Sequence, residues 1–356
     1  MTSPAIVNKK GKKSRRVRLE DIAEKVGVSL STVSRALTGE KGVRADIRQR
    51  ILEAAKDANY PMPAPVPGKK IVIAASSAAM IDYIRNQFTL HVLEGARDRA
   101  HALGLDIITR PIADASDERS VLDEADGDPD VTGLLFLTVD DERMLAATRS
   151  FDKPVVLING DDPHMRLSSV TPCNRSAAQL ATDMLLDLGH RRILFLMRPG
   201  RRTIERRQEG FWDALRHRGI APTPDMTVAV DDWLPELASQ AIAERIANNG
   251  LDFTAILTAG DSLAAGAMMA VQQAGYSVPE DVSVMGMDDL PQASFLNPPL
   301  TTVHIPMREI GMTAVDLLRD LCSGAPALPR RLELACHVVN RQSVTGPNLR
   351  KARILT

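Results

Sequence analysis

The residues from Gly27 to Gly39, GVSLSTVSRALTG, contain three serines, two threonines and one arginine, Arg35. Hydroxyl groups on short side chains can bond phosphate oxygens where a helix backbone comes close to them. An arginine can bond O6 and N7 of one guanine together. The stretch contains no acid–base pair that could carry out catalysis. Its residue types therefore favour a surface that binds nucleic acid.

The basic residues of the chain are concentrated near its N-terminus. Residues 1–70 hold 16 Lys and Arg against 7 Asp and Glu, an excess of nine positive charges. Residues 71–356 hold 28 Lys and Arg against 38 Asp and Glu, an excess of ten negative charges. The two parts together give the net charge of −1. A basic head on an acidic body is typical of a nucleic-acid-binding module joined to a second domain. A basic tail that only improves solubility would explain residues 9–16, but not the basic residues that continue to Arg50.

Apolar spacing in residues 18–60 predicts three short helices. The first covers about residues 19–26, and Gly27 ends it because glycine readily adopts the left-handed conformation of a helix terminus. Ser29 caps the second helix, and the third covers about residues 44–59. Three helices with a tight turn between the first two form a helix-turn-helix.

The second of these helices has two different faces. Val33 and Leu37 lie one turn apart and face inward. On or near the opposite surface are Leu30, Ser31, Ser34 and Arg35. A helix that enters the major groove of DNA uses side chains of these types. Periodicity alone also fits an exposed helix with no binding role.

The residues themselves are more specific than their spacing. The string LEDIAEKVGVSLSTVSRALTG is followed by R…IL.AA in the third helix and by Tyr60-Pro61. This signature resembles the DNA-binding domain of the LacI/GalR family of transcriptional regulators. The resemblance implies binding to double-stranded operator DNA, with Leu30 and Ser31 at base-discriminating positions and Arg35 at a third base-reading position. It also implies that three hydroxyl side chains cap the helix or hold the DNA backbone: Ser29, Thr32 and Ser34.

Two departures from the family pattern concern DNA. Arg18 stands where a phosphate-contacting threonine is usual, and an arginine can serve a phosphate as well. The string YPMPAPVPGKK, residues 60–70, stands where the family usually has a hinge helix with a leucine that wedges into the minor groove. Proline at every second position cannot form that helix and favours an extended polyproline conformation. We therefore expect this chain to lack the wedge and to kink its operator less.

From Ile71 onwards, apolar runs of strand length alternate with amphipathic helical segments. The strand-like runs include IVIAA, LDIIT, TGLLFL, PVVLIN, RRILFLM, TAILTA and DVSVMG. This alternation predicts an α/β domain with parallel sheets, and its length allows two sheets. Ligands of such sheets bind beyond the carboxyl ends of the strands.

Further strings, including LGHRRILFL, VPEDVSVMGMDD and PPLTTVHIP, are similar to the sensor domain of the same family. The implied fold is an all-α three-helix helix-turn-helix head followed by an α/β two-subdomain periplasmic-binding-protein-like (type I) sensor domain. The chain of such a sensor crosses between its subdomains three times, and we place the crossings near Ser169, Thr301 and Arg330. Effector binding is expected to close the cleft and to change the spacing of the DNA-binding heads.

The resulting domain prediction has five parts. They are a basic disordered tail (1–16), the helix-turn-helix domain (17–60), a Pro-rich hinge (61–70), an effector-binding domain (71–345) and a C-terminal tail (346–356). Within the effector-binding domain, the N-subdomain comprises 71–169 and 303–329, and the C-subdomain comprises 170–302 and 330–345.

The resemblance also implies positions that contact the effector. They are Phe88 as an aromatic wall, Arg207 as a grip on hydroxyls or carboxylates, Trp233 as a stacking aromatic, Asp288 as a hydrogen-bonding carboxylate, and Asp161 as a further acceptor. An arginine, carboxylates and flat aromatics suit a sugar, whose hydroxyls need bidentate partners. As alternatives, Phe88 and Trp233 fit ordinary core positions, and Arg207 fits a surface ion pair in RRTIERR.

Two further departures bear on the effector. Gly260-Asp261 stands where the family often has Asn-Asp, so one hydroxyl partner is missing. Cys173 stands where an aspartate is common. The effector is therefore expected to be a sugar or a sugar derivative, with another small molecule left open.

An enzyme is the rival interpretation. The sequence has no Gly-rich phosphate loop of usual spacing, no H-E-x-x-H and no G-x-S-x-G. Its seven histidines are dispersed, and none pairs at metal-ligand spacing. We therefore predict no catalytic activity, no cofactor and no metal. A third interpretation keeps the DNA-binding head but makes the body respond to a protein partner.

A single helix-turn-helix offers a small interface, so specific binding normally uses a two-fold dimer on a pseudopalindromic site. We therefore predict a homodimer that acts by default as a repressor. The sequence has no secretory signal, no apolar run of membrane-spanning length and three cysteines without ligand spacing. These features predict a cytoplasmic protein with no membrane partner.

Overall fold

The computed structural model describes residues 18–37, 42–58, 60, 69–77, 80, 83–113, 115–139, 141–322 and 328–348. Apart from Ala102–Gly104, which group with the first unit, the chain forms two compact units that divide between residues 60 and 69. The first unit is called the head and the second the sensor. The segment 61–68, which contains most of the Pro-rich hinge, lies outside the described residues.

The head consists of helices α1 (Leu19–Val26), α2 (Leu30–Leu37) and α3 (Ala45–Asp57). Gly27 ends α1 with φ 75°, and its N–H donates to the Ala23 carbonyl at 2.9 Å. Ser29 precedes α2, and its Oγ accepts a hydrogen bond from the Thr32 N–H at 3.2 Å. The three helices share one small core that includes Ile22, Val33, Leu37, Ile51 and Ala55. The helix-turn-helix expected from apolar spacing is thereby confirmed.

The sensor alternates strands and helices over most of its described residues. In chain order it contains β1 (Lys70–Ser76), α4 (Tyr83–Leu103), β2 (Asp106–Ile112), α5 (Ala115–Gly127), β3 (Val131–Leu137), α6 (Glu142–Ala147), β4 (Val155–Ile158), β5 (Ser168–Pro172), α7 (Asn174–Asp187), β6 (Ile193–Met197), α8 (Arg202–His217), β7 (Thr227–Ala229), α9 (Pro235–Asn249), β8 (Ala255–Thr258), α10 (Asp261–Gln273), β9 (Ser283–Asp288), β10 (Thr301–His304), α11 (Met307–Leu321), β11 (Arg331–Leu334) and β12 (His337–Val339). None of these described helices is long and apolar enough to cross a membrane.

The strands form two six-stranded sheets, one in each subdomain. The first has the order β11-β5-β4-β3-β1-β2, and all of its neighbours are parallel. The second has the order β12-β10-β9-β8-β6-β7, and only β12 runs antiparallel to its neighbour. Strands β3 and β4 are buried over their full length, as expected for parallel strands covered by helices on both faces. The predicted α/β architecture with two sheets is confirmed.

The three crossings between subdomains come a few residues later than the sequence prediction put them. The chain leaves the first sheet after Pro172, returns after His304, and leaves again after Leu334. The predicted subdomain limits are therefore wrong in detail: β5 and β11 belong to the first sheet, and β10 completes the second. The reason is physical. An apolar run predicts a strand, but it does not reveal which sheet the strand pairs with before the chain crosses.

Candidate functional site

Helix α2 presents a polar face to solvent. Its inward residues Val33 and Leu37 are buried, whereas Ser31, Ser34 and Arg35 are exposed. Leu30, a large apolar side chain, is 45% exposed and lies on the same outer side of the helix. The sequence-derived assignment of an inner and an outer face therefore matches the folded head.

A small hydroxyl network fixes the start of α2. The Ser29 Oγ lies 2.8 Å from the Thr32 Oγ1 and 2.9 Å from the Ser31 Oγ. The Arg35 Nε donates to the Ser31 carbonyl at 3.4 Å, which directs that side chain along the helix surface. At the start of α1, the Arg18 N–H donates to the Asp21 carboxylate at 2.8 Å, and the residue is exposed. The side chains assigned to DNA contact thus lie at the beginnings of α1 and α2 or along the outer face of α2.

In the sensor, a cavity of about 380 Å³ lies between the two subdomains. Its walls come from the carboxyl ends of parallel strands in both sheets, which is where such sheets bind ligands. The strand-end residues that line it are Ser76, Thr138 and Asn159 from the first sheet, and Arg198, Ala259 and Asp288 from the second. Four of the five predicted effector contacts also line it: Phe88, Arg207, Trp233 and Asp288.

Arg207 is held rigidly at the back of the cavity. It is buried on α8, its Nε donates to the Asn174 Oδ1 at 2.8 Å, and its Nη1 donates to the Ala259 carbonyl at 2.5 Å. Its Nη1 also lies 3.7 Å from the Asp288 Oδ1. Gly210, one turn further along α8, allows this placement, because a Cβ there would lie 2.0 Å from a carbonyl oxygen of α7. The sequence alternative of a surface ion pair for Arg207 is excluded by its burial.

Asp288 lines the cavity, and the pKa of its carboxyl group is raised. Burial raises the pKa of its carboxyl group to about 6, although Arg207 and the Asp261 N–H oppose this rise. Burial also raises the pKa of Asp261 well above its ordinary value, with the neighbouring Asp288 charge as the second cause. Asp261 accepts hydrogen bonds from the Thr302 Oγ1 at 2.5 Å and the Leu290 N–H at 2.9 Å. The cavity thus contains a carboxyl group whose pKa is raised towards neutral pH.

Trp233 fills space that a larger residue at position 260 would need. A Cβ on Gly260 would lie 3.2 Å from the Trp233 Cζ3 and 3.3 Å from the Asp288 Oδ2. The ring is partly buried and packs against both apolar clusters of the second subdomain. The indole therefore lies close against position 260, where the family often has an asparagine.

Sequence reasoning missed several polar residues of the cavity, among them Thr138, Asn159 and Thr203. Each has a buried side-chain oxygen with no hydrogen-bond partner among the described residues. A buried polar atom without a partner is costly, so these atoms are suited to meet a polar ligand. Thr138 and Asn159 directly follow β3 and β4, and a rule that marks polar residues at strand ends would have found them.

The backbone at this edge of the sheets is unusual. Thr138 has φ 59°, Asn159 has φ 51° and Asp288 has φ 129°, although none of them is glycine. Such conformations cost on the order of 1–3 kcal/mol each and tend to occur at functional sites. A threonine with positive φ is especially rare, because its branched Cβ crowds the backbone.

Asp161 lies outside the lining of this cavity. It is buried, and its carboxylate contacts the Arg206 Nη2 at 2.5 Å, the Arg331 Nη2 at 2.6 Å and the Arg202 Nε at 3.4 Å. Burial pushes its pKa upwards, but the hydrogen bond and charge of Arg206, together with the other two arginines, bring the pKa below its ordinary value. Asp161 follows β4 of the first subdomain, and Arg206 lies on α8 of the second. The carboxylate therefore bridges the subdomains, and it is not among the residues that a ligand in this cavity would contact.

No described residues bring three or more His, Cys, Asp and Glu side chains together in a way that could hold a metal ion. Cys173 lies at the first crossing, and its Sγ donates to the Glu333 Oε2 at 3.2 Å. The aspartate expected there from the family pattern is thus replaced by a thiol with a local carboxylate partner.

A helix-turn-helix head followed by a two-subdomain α/β sensor defines a DNA-binding transcriptional regulator. Residues 18–62 match the family described as bacterial regulatory proteins, lacI family, and residues 182–344 match the periplasmic binding protein-like domain. The HTH-type transcriptional regulator MalR of Streptomyces coelicolor (strain ATCC BAA-471 / A3(2) / M145) is 32% identical over 323 residues, covering 87% of this chain and 91% of the relative. The chain therefore belongs to the LacI family of bacterial regulatory proteins.

Solved structures agree with this assignment. The complex of the transcriptional regulator CelR with cellobiose is similar with a TM-score of 0.70 and 25% identity, covering 92% of this chain and 100% of that chain. The lac repressor dimer bound to operator and the anti-inducer ONPF is similar with a TM-score of 0.68 and 27% identity, covering 93% of this chain and 100% of that chain. These relatives are transcriptional regulators, and the enzyme alternative is therefore set aside.

Proposed function

We propose that this regulator is a homodimeric repressor whose operator affinity is controlled by a sugar or sugar derivative bound in the sensor cavity. The observation that carries the proposal is the cavity itself. It joins the pair of buried Arg207 and partly buried Asp288, a partly buried indole and several unpartnered oxygens between two subdomains. Charged partners and an aromatic face are what a hydroxyl-rich ligand with an apolar face requires.

The similar structures support this proposal by analogy. The CelR structure holds cellobiose, and the lac repressor structure is a dimer with operator and a small ligand. In this chain, effector binding would alter the fit between the two subdomains and thereby the spacing of two heads on a pseudopalindromic site.

The central experiment is a thermal-unfolding screen of the full-length protein against sugars, sugar derivatives, polyols and nucleosides. A ligand at about 100 times its Kd stabilises the folded state by roughly 2.7 kcal/mol, which is readily measured. Each ligand found is then added to the protein–operator complex, with the operator obtained by selection from random duplexes. A ligand that raises the melting temperature and releases operator supports the proposal. A screen in which no ligand does both contradicts it and favours a protein partner.

Arg35→Ala is expected to weaken operator binding by about 1–3 kcal/mol, roughly tenfold to a hundredfold, because it removes a side chain assigned to base reading. Fluorescence anisotropy at one fixed salt concentration measures the loss on the selected operator and on a variant operator. Lys25→Ala is the control. Lys25 is exposed, and its Nζ lies 3.2 Å from the Asp57 Oδ2, so it is not part of the outer face of α2. Unchanged discrimination between the two operators by Arg35→Ala would refute base reading by this residue.

Residues 61–70 carry a proline at every second position from Pro61 to Pro67. We expect a weaker central kink in bound operator than a leucine wedge produces, because alternate prolines oppose the hinge helix. Gel mobility of circularly permuted operator fragments measures the bend. A strong central kink would contradict the proposal.

Gly260→Asn is expected to weaken effector binding although it restores the residue common in the family. The added side chain would meet the Trp233 ring and the Asp288 carboxylate, and overpacking of this kind costs about 1–3 kcal/mol. Calorimetric titration with a ligand from the screen measures the effect. Gly127→Asn is the control, since a Cβ there meets nothing within 4 Å. Tighter binding by Gly260→Asn would show that the indole can move aside.

A further inference from the structure

The N-terminal turn of α8 carries an unusual concentration of positive charge. Arg198 follows β6, Arg201 is the N-cap residue of α8, and Arg202 is its first helical residue. The N-terminus of a helix already bears a partial positive charge and favours acidic residues. Three arginines at this point oppose the helix dipole, and such local conflicts tend to mark functional sites.

The three arginines have different partners. Arg202 lies 3.4 Å from the Asp161 carboxylate. The Arg198 guanidinium donates to main-chain carbonyls, those of Asp231 at 3.4 Å and Pro199 at 3.2 Å. Arg201 donates to the Asn159 carbonyl. Arg198 and Arg201 line the cavity, whereas Arg202 is outside its lining.

An independent observation indicates a ligand at the same place. Thr203, in the first turn of α8, lies between this cavity and a small neighbouring pocket lined by Asp161 and Arg206, and it is only 2% exposed. Its Oγ1 has no hydrogen-bond partner among the described residues. A threonine hydroxyl can donate to an anion, and it lies beside main-chain N–H groups that a helix leaves unpaired in its first turn.

We propose that Arg198, Arg201 and Thr203 form an anion subsite of the cavity, which takes a phosphate monoester carried by the effector. Three terminal phosphate oxygens match three separate donor groups at a helix N-terminus. The remainder of the effector would then contact the Arg207–Asp288 pair and Trp233. This inference rests on the proposed function and narrows the effector to a phosphorylated sugar.

The test compares matched ligands by thermal unfolding of the full-length protein. The probes are inorganic phosphate against chloride at equal ionic strength, then glucose, glucose 6-phosphate and glucuronate, and ribose with ribose 5-phosphate. We expect inorganic phosphate to raise the melting temperature, and a phosphorylated sugar to bind roughly tenfold or more tightly than its parent. Arg198→Gln and Arg201→Gln should each reduce both effects. Arg216→Gln, at the far end of α8 and more than half exposed, should leave them unchanged.

Thr203→Val provides a readout that a purely structural role would not give. The variant removes a buried hydroxyl without a partner, so the free protein should be no less stable than the wild type. The phosphate-dependent shift should nevertheless become smaller. A marked loss of stability in the free variant would assign the hydroxyl to the protein's own packing and overturn the subsite.

The remaining outcomes are also decisive. Equal shifts from phosphate and chloride, or binding of glucuronate without glucose 6-phosphate, would overturn the phosphate assignment. A phosphate shift that persists in both arginine variants would place the anion elsewhere and overturn the subsite. With any of these results, the proposed control of operator binding by a sugar would still hold if an unphosphorylated sugar released the operator. Failure of the proposed function would appear differently, as binding without operator release.

Discussion

Asp161→Asn is expected to lower the free energy of unfolding of the sensor by roughly 2–3 kcal/mol and to weaken effector binding roughly tenfold. The substitution leaves three arginines around a site that has lost its charge. Removing one partner of a buried ion pair typically costs about 3–5 kcal/mol, and the exposure of these arginines reduces that figure. Two of the three contacts join different subdomains, so the variant should also populate a more open sensor.

Asp162→Asn is a matched control for this prediction. Asp162 is the next residue and is equally buried, but its carboxylate accepts hydrogen bonds from its own loop, residues 164–167. It should lower stability without changing the radius of gyration in small-angle scattering or the effector affinity. If the Asp161 and Asp162 variants behave alike in scattering and affinity, Asp161 does not hold the subdomains together.

The stabilising effect of Asp161 depends on pH in a defined direction. Its pKa in the folded protein lies below the ordinary value, so its contribution is fully present above the unfolded-state pKa of about 3.9. The contribution is lost as the pH falls through the lower folded-state pKa. The stability difference between wild type and Asp161→Asn should therefore be constant near neutral pH and shrink only below about pH 4.

Asp288→Asn is expected to weaken effector binding roughly tenfold to a hundredfold. Hydrogen bonds to a charged group contribute about 1.5–3 kcal/mol, and the variant replaces the carboxylate with a neutral amide. It also removes the negative charge 3.7 Å from Arg207. Calorimetric titration at pH 8 gives the comparison under conditions in which the wild-type carboxyl group is ionised.

Asp289→Asn is the control for Asp288. The Asp289 carboxylate contacts the His304 Nδ1 at 3.0 Å and the Arg341 Nη2 at 2.7 Å and is not part of the cavity lining. It should leave effector affinity within about twofold. If the Asp288 variant binds the effector as tightly as the Asp289 variant does, the Asp288 carboxylate does not contact the effector.

The raised pKa of Asp288 adds a pH dependence to the same measurement. The pKa of Asp288 in the folded protein is about 6, which is higher than the ordinary value. The free energy of unfolding of the free protein therefore decreases as the pH rises from about 4 through 6, because the carboxyl group must ionise in the folded state. An effector that bonds to the carboxylate favours the ionised form. With an unphosphorylated sugar as the ligand, wild-type affinity should therefore fall below about pH 6, and the Asp288→Asn variant should lose this dependence.

The fold was predictable because it depends on features that are local in sequence. The head follows from apolar spacing and Gly27, and the sensor follows from repeated strand-like and helical runs. The crossings were less predictable. Pro172 and Leu334 pair with each other in the first sheet although they are far apart in the chain. Such a pairing decides the subdomain limit and leaves no local signal.

The cavity was predictable where a family position carries a distinctive side chain, as at Arg207, Trp233 and Asp288. Asp161 and Asn159 show the limit of this approach. They lie two residues apart after β4, yet Asn159 lines the cavity and Asp161 contacts the arginines of α8. The positive φ of Asn159 turns the chain at this point, and residue type alone does not indicate that turn.

The strained strand ends at Thr138, Asn159 and Asp288 have a consequence for attempts to make this protein more heat-resistant. Glycine at such positions would relieve about 1 kcal/mol or more, so selection for survival at high temperature would find its easiest gains there. The same changes would remove polar groups from the cavity wall. Under the proposed function, a heat-resistant variant obtained in that way would be a regulator that still occupies its operator but no longer responds to its signal.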